Sequence, residues 1–293
     1  MVKERLLITG GSGFLGGHLV IQAWKKFEVF ATFHSHSVDH PGVNWEKWDL
    51  FDNRAIEKKI SSIKPKYIIH TAAMAKADEC EKRKSEAVKV NINASEAIAR
   101  AGKLFGSRII FLSTDLIFRG DKAPYDENDT PDPLSFYGWT KWEAEKTIIR
   151  NNPDHVIIRP GIMFGPPALQ GTSFSEWMRM NWKKETIIPL FIDQYRTPIY
   201  AGTLSTCLLE VTRKNYTGYL NLAGIQRSSR YEFGMMLAEQ LGISTNLIKP
   251  VKMADVPSLA DRPMDVSLKM ERAQSILKMR FPGMREDIAA AYK

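Results

Sequence analysis

The feature that most constrains this chain is a short apolar run that breaks into three evenly spaced glycines. Leu6-Leu7-Ile8-Thr9 leads directly into Gly10-Gly11-Ser12-Gly13-Phe14-Leu15-Gly16, and a stretch with Leu19, Val20 and Trp24 at helical spacing follows. A strand, a turn without side chains and a helix in that order bring bare backbone N–H groups and a helix N-terminus together, where a pyrophosphate can sit. Gly10, Gly13 and Gly16 follow a G-x-x-G-x-x-G spacing, one residue longer between the first two glycines than the G-x-G-x-x-G form. A glycine turn without a ligand is the alternative, but it would not require the strand and helix to flank it. Gly10, Ser12, Gly13, Phe14, Leu15 and Gly16 are therefore the first candidate cofactor-binding residues.

The first half of the chain repeats this unit. Near-continuous apolar segments at Val29–Phe33, Tyr67–His70, Arg108–Leu112 and Val156–Arg159 read as buried parallel strands, with a smaller one near Val43–Trp48. Helical spacing over His18–Trp24, Asn53–Ile63, Ser85–Phe105 and Tyr137–Arg150 separates them. The β-α-β-α rhythm predicts an α/β fold, a doubly wound parallel sheet of Rossmann type. The end of the second strand distinguishes the dinucleotides, because an acid there holds the ribose 2′-OH of NAD. It reads Phe33-His34-Ser35-His36, without a carboxylate, so His34 and Ser35 suit a 2′-phosphate and NADP is the expected cofactor. Asp39 keeps NAD open. Asp49-Leu50 closes the third strand, where Asp49 either bonds the adenine or caps the helix from Asn53. Thr71, Ala72 and Ala73, just beyond the fourth strand, complete the expected cofactor site.

After Pro160 the rhythm stops, with Gly161, Gly165, Pro166-Pro167 and Gly171 followed by a Trp- and Met-rich segment over Phe174–Trp182. The expected division is a nucleotide-binding domain over 1–160 and a smaller lobe over 161–293, with about 196–226 rejoining the first sheet through Tyr219–Leu222. Trp177, Met178, Met180 and Trp182 are expected in the core of that lobe. The net charge of +8 suits either nucleic acid or phosphorylated small molecules, but Lys and Arg are scattered and interleaved with Glu, as on solvated helix faces. No nucleic-acid partner is expected. The N-terminus lacks a signal-peptide core, and no run approaches the roughly 20 apolar residues of a membrane span. Two distant cysteines, Cys80 and Cys207, give neither a disulfide framework nor a metal cluster. A cytoplasmic protein without a metal site is the expectation.

Tyr137-Gly138-Trp139-Thr140-Lys141 opens a helix, and residues four apart share a face. A lysine so placed is expected to lower the phenol's pKa and to donate to the nicotinamide ribose, leaving Tyr137 able to exchange a proton with a substrate oxygen. The pattern is common by chance, but here it follows a buried strand ending in Leu112-Ser113-Thr114-Asp115, at the sheet edge where such folds bind ligands. Thr114, Tyr137 and Lys141 are the expected catalytic set. His70 reads as a core histidine.

With these residues the chain resembles, from end to end, the extended short-chain dehydrogenases and most closely the dTDP-4-dehydrorhamnose reductases. Asp78-Glu79-Cys80-Glu81, Val90-Asn91, Ser113-Thr114-Asp115 with Phe118, Tyr125-Asp126-Glu127, Asp193-Gln194, Pro198 with Tyr200, the segment from Gly224 to Phe233, and Arg262-Pro263 carry the likeness. It departs at Leu116, Ile117 and Arg119, and at Ala75 and Ile162, all on the sugar side. The resemblance implies NAD(P)H-dependent reduction of a nucleotide-linked 4-keto-6-deoxy sugar and, as is common among relatives, a homodimer. Asp115, Arg179, Asp193, Gln194 and Arg196 are the expected substrate-binding residues, with Arg179 and Arg196 on the diphosphate. Dehydration is disfavoured because Leu116 stands where the sister dehydratases carry an acid. Epimerisation is disfavoured by the missing acid of the second strand. A catalytically silent regulatory module, like the regulatory subunit of methionine adenosyltransferase, is the alternative of a different class.

Overall fold

The computed structural model describes residues 3–293. Six parallel strands form the body of one sheet: β1 (Arg5–Thr9), β2 (Glu28–Phe33), β3 (Val43–Lys47), β4 (Tyr67–His70), β5 (Arg108–Leu112) and β6 (His155–Pro160). The strand Gly218–Leu222 is the seventh, and the order across the sheet is Gly218–Leu222, β6, β5, β4, β1, β2, β3. Helices cover both faces, which is why the strands are apolar without alternation: Leu6, Leu7, Ile8, Ile68, Ile69, Ile109, Ile110 and Phe111 are all buried. The chain runs outward from β1 to β3 and then crosses back to β4 on the other side of β1. At that reversal the connections diverge and open a crevice at the carboxyl ends of β1 and β4.

On one face the helix Phe14–Ala23 packs against the helix Ala201–Val211, burying Leu19, Val20 and Ala23 with Leu204 and Leu208. On the other, Ile56, Ile60 and Ile63 of the helix Asn53–Ile63 meet Ala94, Ala97 and Ile98. That helix is capped by Asp52, whose carboxylate accepts from the Ala55 N–H at 2.9 Å. Asp49 is therefore not its cap; its side chain accepts instead from the Phe51 N–H within the turn. The single helix expected over Ser85–Phe105 is interrupted by a wide, π-type turn at Val88–Asn93. Asn91 lies in that turn: its amide exchanges hydrogen bonds with the Met74 backbone at 2.8 and 3.1 Å and donates to the Thr140 hydroxyl at 2.9 Å. Turns of this kind recur at functional sites.

Beyond Pro160 a second core forms from Phe164, Met178, Trp182, Ile188, Leu190, Phe233, Leu237 and Ile288. In the helix Phe174–Trp182, Met178 and Trp182 lie four apart and face this core. Trp177 and Met180, expected beside them, point outward at 41% and 56% exposure, because their helical phase differs. The chain then returns to the large sheet, where Gly218–Leu222 pairs with β6 in parallel, Leu220 opposite Ile158. Among the described residues no helix is long and apolar enough to cross a membrane, and no group of His, Cys, Asp and Glu could hold a metal.

Candidate active site

The crevice continues into a cleft of about 450 Å³ that runs from the glycine loop to the second lobe. At its inner end Gly10 has a positive φ of 70°, which an L side chain rarely adopts. A Cβ on Gly16 would stand 2.0 Å from the Gly10 carbonyl oxygen, so the helix can start against the loop only with glycine there. The helix N-terminus at Gly13 has no side-chain cap and no acid in its first turn. A cradle that a Cβ would fill, and orphan N–H groups at a positive helix end, fit a pyrophosphate. Gly10, Gly13, Phe14, Leu15, Gly16, Thr71 and Ala73 line the cleft; Ser12 and Ala72 lie in the same loops without lining it. His34 and Ser35 are exposed just past β2 and bond each other at 2.9 Å, while Asp49 and Leu50 follow β3.

Thr114, Tyr137 and Lys141 come together in the middle of the cleft. Thr114 follows β5, and its hydroxyl accepts from the Leu116 N–H at 3.2 Å. The helix Phe136–Asn151 begins beside it, capped by the Ser135 hydroxyl and by the Glu81 carboxylate, which accepts from the Phe136 N–H at 2.7 Å. Gly138 allows this approach, since a Cβ there would lie 2.3 Å from the Leu116 carbonyl oxygen. The Lys141 ammonium sits 4.1 Å above the Phe111 ring, and burial pulls its pKa down to about 7, with Glu145 and Cys80 pulling the other way. Burial pushes the Tyr137 phenol well above its ordinary value, only partly opposed by the Thr114 hydroxyl. The expectation that Lys141 would lower the phenol's pKa is not met in the protein alone: desolvation dominates, the Asp115 and Cys80 charges add to it, and Tyr137 keeps its proton.

Glu145 follows one turn beyond Lys141 and is wholly buried. Its carboxylate accepts from the Ser113 hydroxyl and pairs with Arg159 on β6 through two hydrogen bonds of 2.9 and 3.2 Å, fixing the helix to the strands that present Thr114. His70 is a core histidine: it lies between the Thr9 and Ser95 hydroxyls, and burial holds its pKa near 3.

At the outer end the cleft is lined by Asp115, Leu116, Ile162, Phe174, Arg196 and Arg230, with Ala75 close to the catalytic residues. Of the expected substrate residues, Asp115 and Arg196 are there. Burial raises the Asp115 pKa, and its Oδ2, which has no hydrogen-bond donor among the described residues, lies 3.9 Å from the Arg196 Nε. Arg179 is not brought to the cleft: it pairs with Glu176 at 3.0 Å and lies over the Tyr292 ring. Asp193 and Gln194 are also set back, Asp193 accepting from the Met253 N–H at 2.9 Å and Gln194 from the Arg230 Nε at 2.9 Å. Arg230 was not among the expected site residues. A signal existed: Ser229-x-x-Glu232 is a capping box, which puts Arg230 in a helix's first turn, where a cation meets the positive end of the macrodipole.

A doubly wound sheet with a pyrophosphate loop at its reversal, and a Thr, Tyr and Lys set beside it, defines a dinucleotide-dependent oxidoreductase of the extended short-chain type. The sequence matches the family described as RmlD substrate binding domain over residues 4–293, and the chain belongs to that family. It is 29% identical over 284 residues to a dTDP-4-dehydrorhamnose reductase of Aggregatibacter actinomycetemcomitans, covering 92% of each chain. It is also 25% identical over 293 residues to the methionine adenosyltransferase 2 subunit beta of Bos taurus, covering 94% of this chain and 83% of that one. The crystal structure of a Bacillus anthracis dTDP-4-dehydrorhamnose reductase in complex with NADP superposes with a TM-score of 0.88 at 23% identity, covering 99% of both chains, and shows the same fold.

Proposed function

We propose that this protein is an NADPH-dependent reductase of a nucleotide-linked 4-keto-6-deoxy sugar, with dTDP-4-dehydrorhamnose or a close relative as substrate. The observation that carries the reading is the meeting of Thr114, Tyr137 and Lys141 in one cleft with the glycine loop. Gly10, Gly13 and Gly16 with the helix behind them would hold the pyrophosphate, and Lys141 the nicotinamide ribose. His34 and Ser35, in place of an acid, favour the 2′-phosphate, with NAD as the less favoured form. The bound nicotinamide supplies the hydride. Thr114 and Tyr137 hold the sugar carbonyl oxygen, and Tyr137, kept protonated by burial, delivers the proton to it. Asp115 stands where it would meet the sugar, and Arg196, its own donors engaged by the carbonyls of Tyr195 and Pro263, would hold that carboxylate in place. The reading extends to a nucleotide-binding unit over 1–160 completed by the returning segment near 196–226, to a cytosolic setting, and to a homodimer.

The test follows loss of reduced nicotinamide with dTDP-, GDP- and UDP-linked 4-keto-6-deoxy sugars. The dTDP sugar is expected to be the best substrate, and Tyr137→Phe to lower turnover by about 10²-fold or more while NADPH still binds, the usual scale for a lost general acid. The likeness to methionine adenosyltransferase 2 subunit beta favours one other reading, a silent NADP-binding module. That reading takes over if NADPH binds tightly and no nucleotide sugar is reduced.

A further inference from the structure

Three arginines lie in or near the cleft's outer end, two of them expected on the diphosphate, and their side chains are committed differently. Arg179 is held by Glu176 outside the cleft. Arg196 lies inside it, but its guanidinium is spent on the carbonyls of Tyr195, Pro263 and Met264 and on the Asp115 carboxylate. Arg230 is held from two sides and left unpaired on a third. Its Nε donates to Gln194, its guanidinium carbon lies over the Phe174 ring at 4.4 Å from the centroid, and its Nη1 is buried with no acceptor among the described residues.

We propose that Arg230 is an oxyanion-binding, specificity-determining residue of the substrate cleft, taking the diphosphate of the nucleotide sugar or a carboxylate on its hexose through the unpaired edge of its guanidinium. The diphosphate arm rests on the reductase reading above; the carboxylate arm keeps only its nucleotide sugar and would replace the 6-deoxy hexose by a hexuronate. Its geometry is that of a preorganised fork, since the hydrogen bond to Gln194 and the stacking on Phe174 fix the plane before any ligand arrives. Its electrostatics point the same way. The fork shares the cleft's outer end with Arg196, opposite the single carboxylate of Asp115, and it begins a helix whose macrodipole is positive at that end. Burial, and then the charge of Arg196, hold the Arg230 pKa down to about 9; the Asp115 carboxylate pulls the other way and Arg262 adds a smaller lowering. A cation kept where desolvation, like charge and helix dipole all oppose it is compensated once an oxyanion docks beside it.

The experiment is a binding titration of the full chain, saturated with NADPH, that needs no turnover. Wild type, Arg230→Gln and Arg230→Lys are titrated with thymidine and dTDP, and with UDP-glucose and UDP-glucuronate. If the diphosphate is the ligand, Arg230→Gln weakens dTDP tenfold or more and thymidine less than twofold, with Arg230→Lys between them. If a sugar carboxylate is the ligand, the loss is confined to UDP-glucuronate. Equal affinities of wild type and Arg230→Gln for all four probes overturn the proposal. Should Arg230→Gln melt early and lose NADPH, Arg230→Lys decides: weakened dTDP or UDP-glucuronate with NADPH retained supports the assignment, and unchanged affinities refute it. A protein that reduces its sugar with Arg230→Gln unchanged in KM leaves the reductase standing and removes Arg230. One that reduces nothing, yet loses dTDP affinity in Arg230→Gln, does the reverse.

Discussion

Tyr137 and Lys141 lie one helical turn apart, yet burial moves their acidities in opposite directions, each toward its neutral form. For Tyr137 that favours reduction, where a phenol must arrive with its proton. For Lys141 it costs stability. With a folded pKa of about 7 against an ordinary 10.5, the unfolded chain binds the extra proton throughout that interval, so this group's penalty is full at and below about pH 7 and fades as pH rises toward 10. Lys141→Met should therefore melt above wild type at pH 6 to 7, with the gap closing toward pH 10; melting curves across that range check it, and a gap independent of pH would exclude this origin. The catalytic residues were legible in the sequence because spacing and strand context select them. Arg179 lies outside the cleft for a reason that is local: Glu176, three residues earlier on the same helix face, pairs with it. Arg230 was passed over because its neighbours Gln194 and Phe174 are remote in sequence.

Among the elements, the strands were legible almost to their ends, since a parallel sheet covered on both faces demands unbroken apolar runs. The helix Phe136–Asn151 and the glycine loop were equally plain. What escaped was set by tertiary bonding: the wide turn at Val88–Asn93, where Asn91 binds Met74 and Thr140, and the outward phase of Trp177 and Met180. The glycine loop carries the prediction at this scale. Gly16→Ala puts a methyl carbon 2.0 Å from the Gly10 oxygen and 2.7 Å from the Gly11 Cα, backbone that has nowhere to move. It should weaken NADPH binding by at least an order of magnitude and lower the melting temperature, whereas Gly283→Ala, with open space around it, should do neither. Retained NADPH affinity in Gly16→Ala, measured by fluorescence titration, would mean that the pyrophosphate lies elsewhere.

At the level of the whole molecule, the two cores are separate in space but interleaved along the chain, because Gly218–Leu222 and the helix Ala201–Val211 return to the first sheet after the second lobe has begun. A fragment ending at residue 160 would lack both, leaving β6 as a bare edge of His155-Val156-Ile157-Ile158-Arg159-Pro160. Exposed apolar edges of this kind pair with other chains. The fragment is expected to aggregate on expression, whereas one extended through residue 226 should be more soluble; sedimentation of the two lysates compares them. The return strand was legible as a strand, but its place at the edge beside β6 was not, since pairing partners are chosen by three-dimensional neighbours.

That late strand also sets a timetable for synthesis. As the chain leaves the ribosome from its N-terminus, β1 to β6 emerge first and assemble a sheet whose last neighbour does not yet exist. β6 must wait while the segment containing Phe174–Trp182 and Ile188–Phe191 is made, and only the arrival of Gly218–Leu222 closes the row. The moment at which the nascent protein ceases to be sticky is thus written late in its message, well after the residues that perform its chemistry have been translated.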